Sequence, residues 1–165
     1  MKNNECCEVV IVGAAHTDLQ LYPVGADVLD TASYSVKQMV LTVGGDALNE
    51  ATVITRLGHK VRLVSCVGDD VIGSLVLEHC RKNNIGTEYI KVDSSKVTSI
   101  NVGLIREDGE RTFINNKSGS IWTFCPEDVE RESVSRGRIL SFASIFNNPL
   151  LDESLMIPLF ERARE

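Results

Sequence analysis

Two apolar runs, EVVIVG at 8–13 and KVRLVSCVG at 60–68, limit what this chain can fold into more than any other feature. The first is β-branched without polar–apolar alternation, which suits a strand covered on both faces. Between the two runs, Ala47, Leu48, Ala51 and Ile54 fall on one helical face, with Asn49, Thr52 and Arg56 opposite, and Gly58 closes the pattern. After the second run, Asp69–Asp70 offers a cap to the helical stretch VIGSLVLEHCRKN, which ends at Asn83, Asn84 and Gly86. Between the first run and the first helix, LQLYPV and YSVKQMVLTV are extended segments that suit a small, half-exposed sheet. Residues 8–86 therefore read strand, extended insertion, helix, strand, helix. That order predicts an α/β fold with a parallel sheet and covering helices.

The remainder changes character. TSINVGLI and RTFIN flank EDGE, and Asp-Gly between extended runs predicts a hairpin. Ile100, Val102 and Leu104 share one face of it and Asn101, Gly103 and Ile105 the other, so each side is expected to cover something. CPEDVERES resembles a helix start, RILSFASIF a further buried strand, and DESLMIPLFERARE a capped helix. No repeat or linker divides the 165 residues, which are read as part of a single domain. The helical pattern runs to the last residue with no C-cap and no closing strand, so truncation of a longer domain is expected.

With 43% hydrophobic and 24% charged residues the composition is that of a globular protein, and no apolar run approaches a membrane span. The start, MKNNECCE, is no signal peptide, and a cytoplasmic location is expected. A net charge of −6 argues against a nucleic-acid partner. Cys6, Cys7, Cys66, Cys80 and Cys125 form no CxxC pair and read as reduced, space-filling thiols rather than metal ligands.

Gly13, after the first strand, stands at the sheet edge where ligands of α/β proteins bind. Ala14, Ala15 and His16 follow it, so no G-x-G-x-x-G leads into a helix, and no P-loop pattern occurs. Asp18, five residues on, can accept two hydrogen bonds from a vicinal diol, or can be a solvated turn aspartate. His16 receives no role. In GGDALNEATVITRLG at 44–58, Gly44 and Gly45 allow a ligand close to the main chain and Asn49 offers donors and acceptors. A plain strand-to-helix turn capped by Asp46 fits the same residues.

The run GGDALNEA, with Gly44, Gly45, Asn49, Ala51, Gly58 and Gly68 at matching intervals, resembles the N-terminal signature of the ribokinase-like (PfkB) carbohydrate kinases. VGDDVIG with Gly73, and DGERTF, resemble that family too, and the likeness runs from residue 8 to the end. It implies a β-sheet lid over a sugar site, formed by segments about 19–43 and 98–116. It implies sugar contacts from Asp18, Gly44, Gly45 and Asn49, with Gly103, Phe113 and Asn115 on the lid's substrate-facing side. Asn147 stands where some members carry a sugar-contacting glutamate, and the loss of charge puts that contact in doubt. The implied reaction moves the ATP γ-phosphate to a hydroxyl of ribose, fructose or a keto-sugar acid, with Mg2+ and, in some members, a monovalent cation such as K+. A homodimer joined lid to lid is also implied. The family's catalytic aspartate sits in a G-A-G-D motif that these residues lack, so no catalytic residue is assigned and inactivity of this stretch alone is expected. A non-catalytic sugar-binding or interaction module is the alternative, with a dinucleotide-dependent oxidoreductase behind it.

Overall fold

The computed structural model describes residues 7–135, 137–143, 145 and 148–164. Four parallel strands form the main sheet: β1 (Cys7–Val12), β4 (Val61–Gly68), β5 (Gly86–Asp93) and β8 (Gly137–Phe142), in the order β5-β4-β1-β8. Side chains alternate across β1, so Val9 and Ile11 face one layer while Val10 and Val12 face the other. The first layer packs against α1 (Asp46–Arg56) and α2 (Val71–Lys82) through Leu48, Ala51, Val76 and Cys80. The second packs against Phe124, Val134 and α3 (Glu153–Ala163), whose Leu155 and Leu159 are buried. Helices on both faces explain why EVVIVG carries no polar alternation.

A second, mixed sheet is built from β2 (His16–Tyr22), β3 (Gln38–Gly44), β6 (Ile100–Ile105) and β7 (Arg111–Asn115), in the order β3-β2-β6-β7. β2 runs parallel to β6 and antiparallel to β3, and β6 and β7 form the hairpin across Asp108–Gly109. The strand begins at His16, three residues before the expected lid boundary, because the first turn after β1 is complete by Ala15. Asp18 thus lies inside a strand, with Thr42 and Asn101 as its cross-strand neighbours, and not in a turn.

One strand went unread in the sequence and one local expectation needs correction. GTEYIKVD, unassigned in the sequence, is the edge strand β5, held by its pairing with β4 rather than by its own alternation. CPEDVERES forms only short 3-10 turns, Pro126–Asp128 and Arg131–Val134, not a helix. Its backbone is claimed from outside: the buried Arg62 guanidinium donates to the carbonyls of Ser133 and Ser135 at 2.8 and 2.9 Å. Asp70 does cap α2, accepting from Gly73 N–H at 2.7 Å, and it also accepts from Thr98 N–H and Oγ1, each at 2.8 Å. One carboxylate therefore ties the start of α2 to the chain entering β6.

Asp128 is the other anchor of the 125–135 segment. Its buried carboxylate accepts from Lys91 Nζ at 2.6 Å, from Lys96 Nζ, and from Cys125 N–H at 3.1 Å. Burial pushes its pKa up, but the lysine hydrogen bonds more than reverse this and hold it at about 2, against an ordinary 3.8. A folded pKa below the unfolded one contributes stability above pH ~4 that is lost as pH falls towards ~2, about 2 kcal/mol in all. The stability gap between wild type and Asp128→Asn in urea unfolding is expected to narrow over that interval. A gap that stays constant on acidification would remove the ion cluster from the account.

Candidate functional site

The end of β1, the start of α1 and one face of the small sheet enclose an open cavity of about 540 Å³. Gly45 makes the junction possible. It is the N-cap of α1 with φ of 104°, and an added Cβ would lie 2.8 Å from the Ala14 carbonyl carbon and 3.0 Å from the Ala15 Cα. Only glycine tolerates both the dihedral and the approach. Asp46 is therefore the first helical residue and not the cap, and the helix N-terminus opens on the cavity with Asp46 and Asn49 on its wall.

The small sheet supplies the opposite wall. Asp18 Oδ1 lies 3.2 Å from Asn101 Nδ2 and 3.3 Å from His16 Nε2, while His16 Nε2 and Asn101 Nδ2 are 2.8 Å apart. Asn115 Nδ2 donates to Asn101 Oδ1 at 3.3 Å, which extends the network to β7. Hydrogen bonding from His16, and a weaker contribution from Asn101, hold the Asp18 pKa below the ordinary carboxylate value although burial raises it. Asp18 is thus an ionised acceptor at neutral pH, held in place by neighbours and facing open space. Phe113, on the same face of β7 as Arg111 and Asn115, lays its ring over Gly103: a Cβ there would be 3.3 Å from the ring edge.

Of the residues expected to meet substrate, Asp18, Gly45, Asn49, Phe113 and Asn115 line this cavity together. Gly44 and Gly103 do not line it. A Cβ on Gly44 would run into the Asp18 carboxylate, and one on Gly103 would meet Phe113, so both glycines make room for the side chains that do. Asn147 lies outside the described residues. His16, Gln20, Asn101, Arg111 and Trp122 are wall residues that sequence reasoning misses. Arg111 is legible from period two with Phe113 and Asn115; Asn101 is not, because its pairing with Asp18 joins strands 83 residues apart. A wall of carboxylate, amide and imidazole groups with the rings of Phe113 and Trp122 can hold several hydroxyls and cover an apolar face, as a small polyol requires.

The sequence profile described as "pfkB family carbohydrate kinase" matches residues 7–164. A 5-dehydro-2-deoxygluconokinase of Photobacterium profundum is 26% identical over 134 residues, which cover 81% of this chain and 39% of that protein. A probable fructokinase-5 of Arabidopsis thaliana is 27% identical over 103 residues, 62% of this chain and 32% of its own. Among solved structures, an uncharacterized sugar kinase from Pyrococcus horikoshii in complex with ATP superposes with a TM-score of 0.70 at 26% identity, covering 81% of this chain and 42% of that one. The chain thus spans less than half the length of each of these relatives.

Proposed function

Since the chain belongs to the pfkB family of carbohydrate kinases, we propose that the protein transfers the γ-phosphate of ATP to a hydroxyl of a small sugar held in the 540 Å³ cavity. The observation that carries this reading is the convergence of Asp18, Asn101 and Asn115 into one hydrogen-bonded wall facing Asn49 across the cavity. In this reading Asp18 accepts from two sugar hydroxyls, Asn49 and Asn115 contact others, and Phe113 covers the ring. The names of these relatives offer two acceptor types, a dehydrodeoxygluconate and fructose.

ATP is the proposed donor, in line with the ATP complex of the Pyrococcus horikoshii protein, and Mg2+ is its expected partner because phosphoryl transfer needs the phosphate charge neutralised. Among the described residues no group of three or more His, Cys, Asp or Glu side chains could hold a metal, so no metal ligand is assigned and no step is derived through one. We assign to these residues the acceptor-binding part of the reaction only. The test is ADP release, coupled to an optical readout, from the full-length gene product with ribose, fructose, keto-sugar acids and nucleosides, beside residues 1–165 alone. Turnover by the full-length product and none by residues 1–165 is expected; turnover by neither with any acceptor would reject the kinase reading. Repeating the assay in potassium and in sodium salts tests a monovalent-cation requirement. The four described cysteines are all free, which suits the proposed cytoplasmic setting.

The outer face of the small sheet supports a homodimer joined lid to lid. Cross-strand register puts Leu19, Leu21, Met39, Leu41, Val102 and Ile114 on the face away from Asp18. Met39, Leu41 and Ile114 are 62%, 49% and 54% exposed, an apolar surface that proteins tend to cover. Sedimentation of the full-length product is expected to give a dimer that Leu41→Glu converts to monomer. A wild-type protein that stays monomeric at high concentration would reject the lid interface.

A further inference from the structure

The charged groups on the cavity wall are separated, and sugar binding as proposed above uses only the acidic end. Asp18 stands at the α1 side with Asp46, and the amide chain from Asn101 to Asn115 continues that end. Arg111 stands at the other end, at the start of β7, opposite Ile105. It is the one Lys or Arg on the wall among the described residues. It stands four positions before Asn115, about 13 Å along the strand, with the Phe113 ring between them.

No described carboxylate pairs with this guanidinium. Of the acids of the neighbouring hairpin, Asp108 pairs with Arg106 at 3.3 Å and Glu107 with Lys37 at 3.9 Å, while Glu110, next to Arg111 in the chain, forms no ion pair with it. A planar guanidinium presents a fork of donors that matches the paired oxygens of a carboxylate or phosphate, and such charge-assisted pairs are stronger than neutral ones. In a chain of net charge −6, an unclaimed arginine on a cavity wall is a local attraction for anions. Asp18 and Asp46 repel an anion from the opposite end, so a polyol with one charged terminus fits in a single orientation.

Given a sugar site in this cavity, on which the inference rests, we propose that the preferred acceptor carries an anionic group, a carboxylate or a phosphate monoester, at the end remote from the hydroxyls bound by Asp18. Arg111 is then the residue that sets this preference. It contacts the charged end of the substrate, and its role is selection of the acceptor.

The experiment is calorimetric titration of the full-length gene product with fructose, 2-keto-D-gluconate and fructose 6-phosphate, for wild type, Arg111→Gln and Arg111→Lys. One of the two anions is expected to bind roughly ten- to a hundredfold more tightly than fructose, and which one identifies the group. Arg111→Gln should bring the anion and fructose to within about threefold of each other, and Arg111→Lys should keep part of the difference because it keeps the charge. Added salt should weaken the anion more than fructose. Fructose binding as tightly as both anions in wild type would overturn the inference while leaving the kinase reading intact. So would a parallel loss for all ligands in Arg111→Gln, which would mark a structural role, or a loss of ATP affinity with sugar discrimination unchanged. Failure of all three ligands to bind would overturn this inference and the sugar-site reading together.

Discussion

Asp18→Ala is expected to weaken sugar binding by roughly thirty- to several-hundredfold, about 2 to 4 kcal/mol, while leaving the protein folded. The carboxylate is held by His16 and Asn101 at one oxygen, so it is oriented before a ligand arrives. Preorganised, charged acceptors make the stronger hydrogen bonds to hydroxyls. Its side chain is 21% exposed and belongs to no apolar cluster, so truncation should cost affinity more than stability. Gly44→Ala should act in the same direction, because its new Cβ would occupy the place of the Asp18 carboxylate. Calorimetry with the acceptor identified by the ADP assay, beside a thermal melt, checks both. Unchanged affinity in a folded Asp18→Ala protein would take Asp18 out of the site.

The second large effect is on stability. Arg62 is 1% exposed on β4; its guanidinium lies 3.3 Å from a Glu88 oxygen and 5.0 Å from the centre of the Tyr89 ring, besides its two bonds to Ser133 and Ser135 carbonyls. Arg62→Ala would leave the Glu88 carboxylate, the buried Ser133 carbonyl and the half-buried Ser135 carbonyl without this donor, in a cavity the size of the lost side chain. The expected loss is about 3 to 5 kcal/mol, read as a lower denaturation midpoint of the full-length product. Arg62→Lys should recover only part of it, since one ammonium cannot serve the same spread of acceptors. A loss below about 1 kcal/mol would mean that apolar contacts of Phe124 and Val134 hold the segment without the guanidinium.

Arg62 also illustrates how far the chain can be read without coordinates. Within KVRLVSCVG an arginine looks like a polar interruption of a buried strand. In the fold it holds carbonyls 71 and 73 residues away, at the end of CPEDVERES, which forms short turns where its capping residues suggest a helix. The strand β5 is hidden for a related reason: GTEYIKVD has weak alternation, and only the neighbouring edge of β4 makes it extended. By contrast α1, α2 and the Asp108–Gly109 hairpin are legible, because helical periodicity, an aspartate cap and an Asp-Gly turn act over a few residues.

The same division runs through the candidate site. The sequence alone determined which local elements bear it: a strand ending at Gly13, a glycine-led helix start at Gly45, and polar side chains at Asp18, Asn49 and Asn115. The strand end and the glycine-led turn follow from local pattern and dihedral permission, properties of short stretches; Asp18 and Asn49 are local candidates that the family resemblance singles out, and Asn115 enters through that resemblance alone. Tertiary structure decided what those elements do to one another. The pairing of β2 with β6 sets Asn101 beside Asp18, Gly44 and Gly103 become space for other side chains, and Arg111 comes to stand at the far end of the same cavity. The physical reason is that register between distant strands is fixed by the packing of whole faces, and no short stretch of chain carries that information.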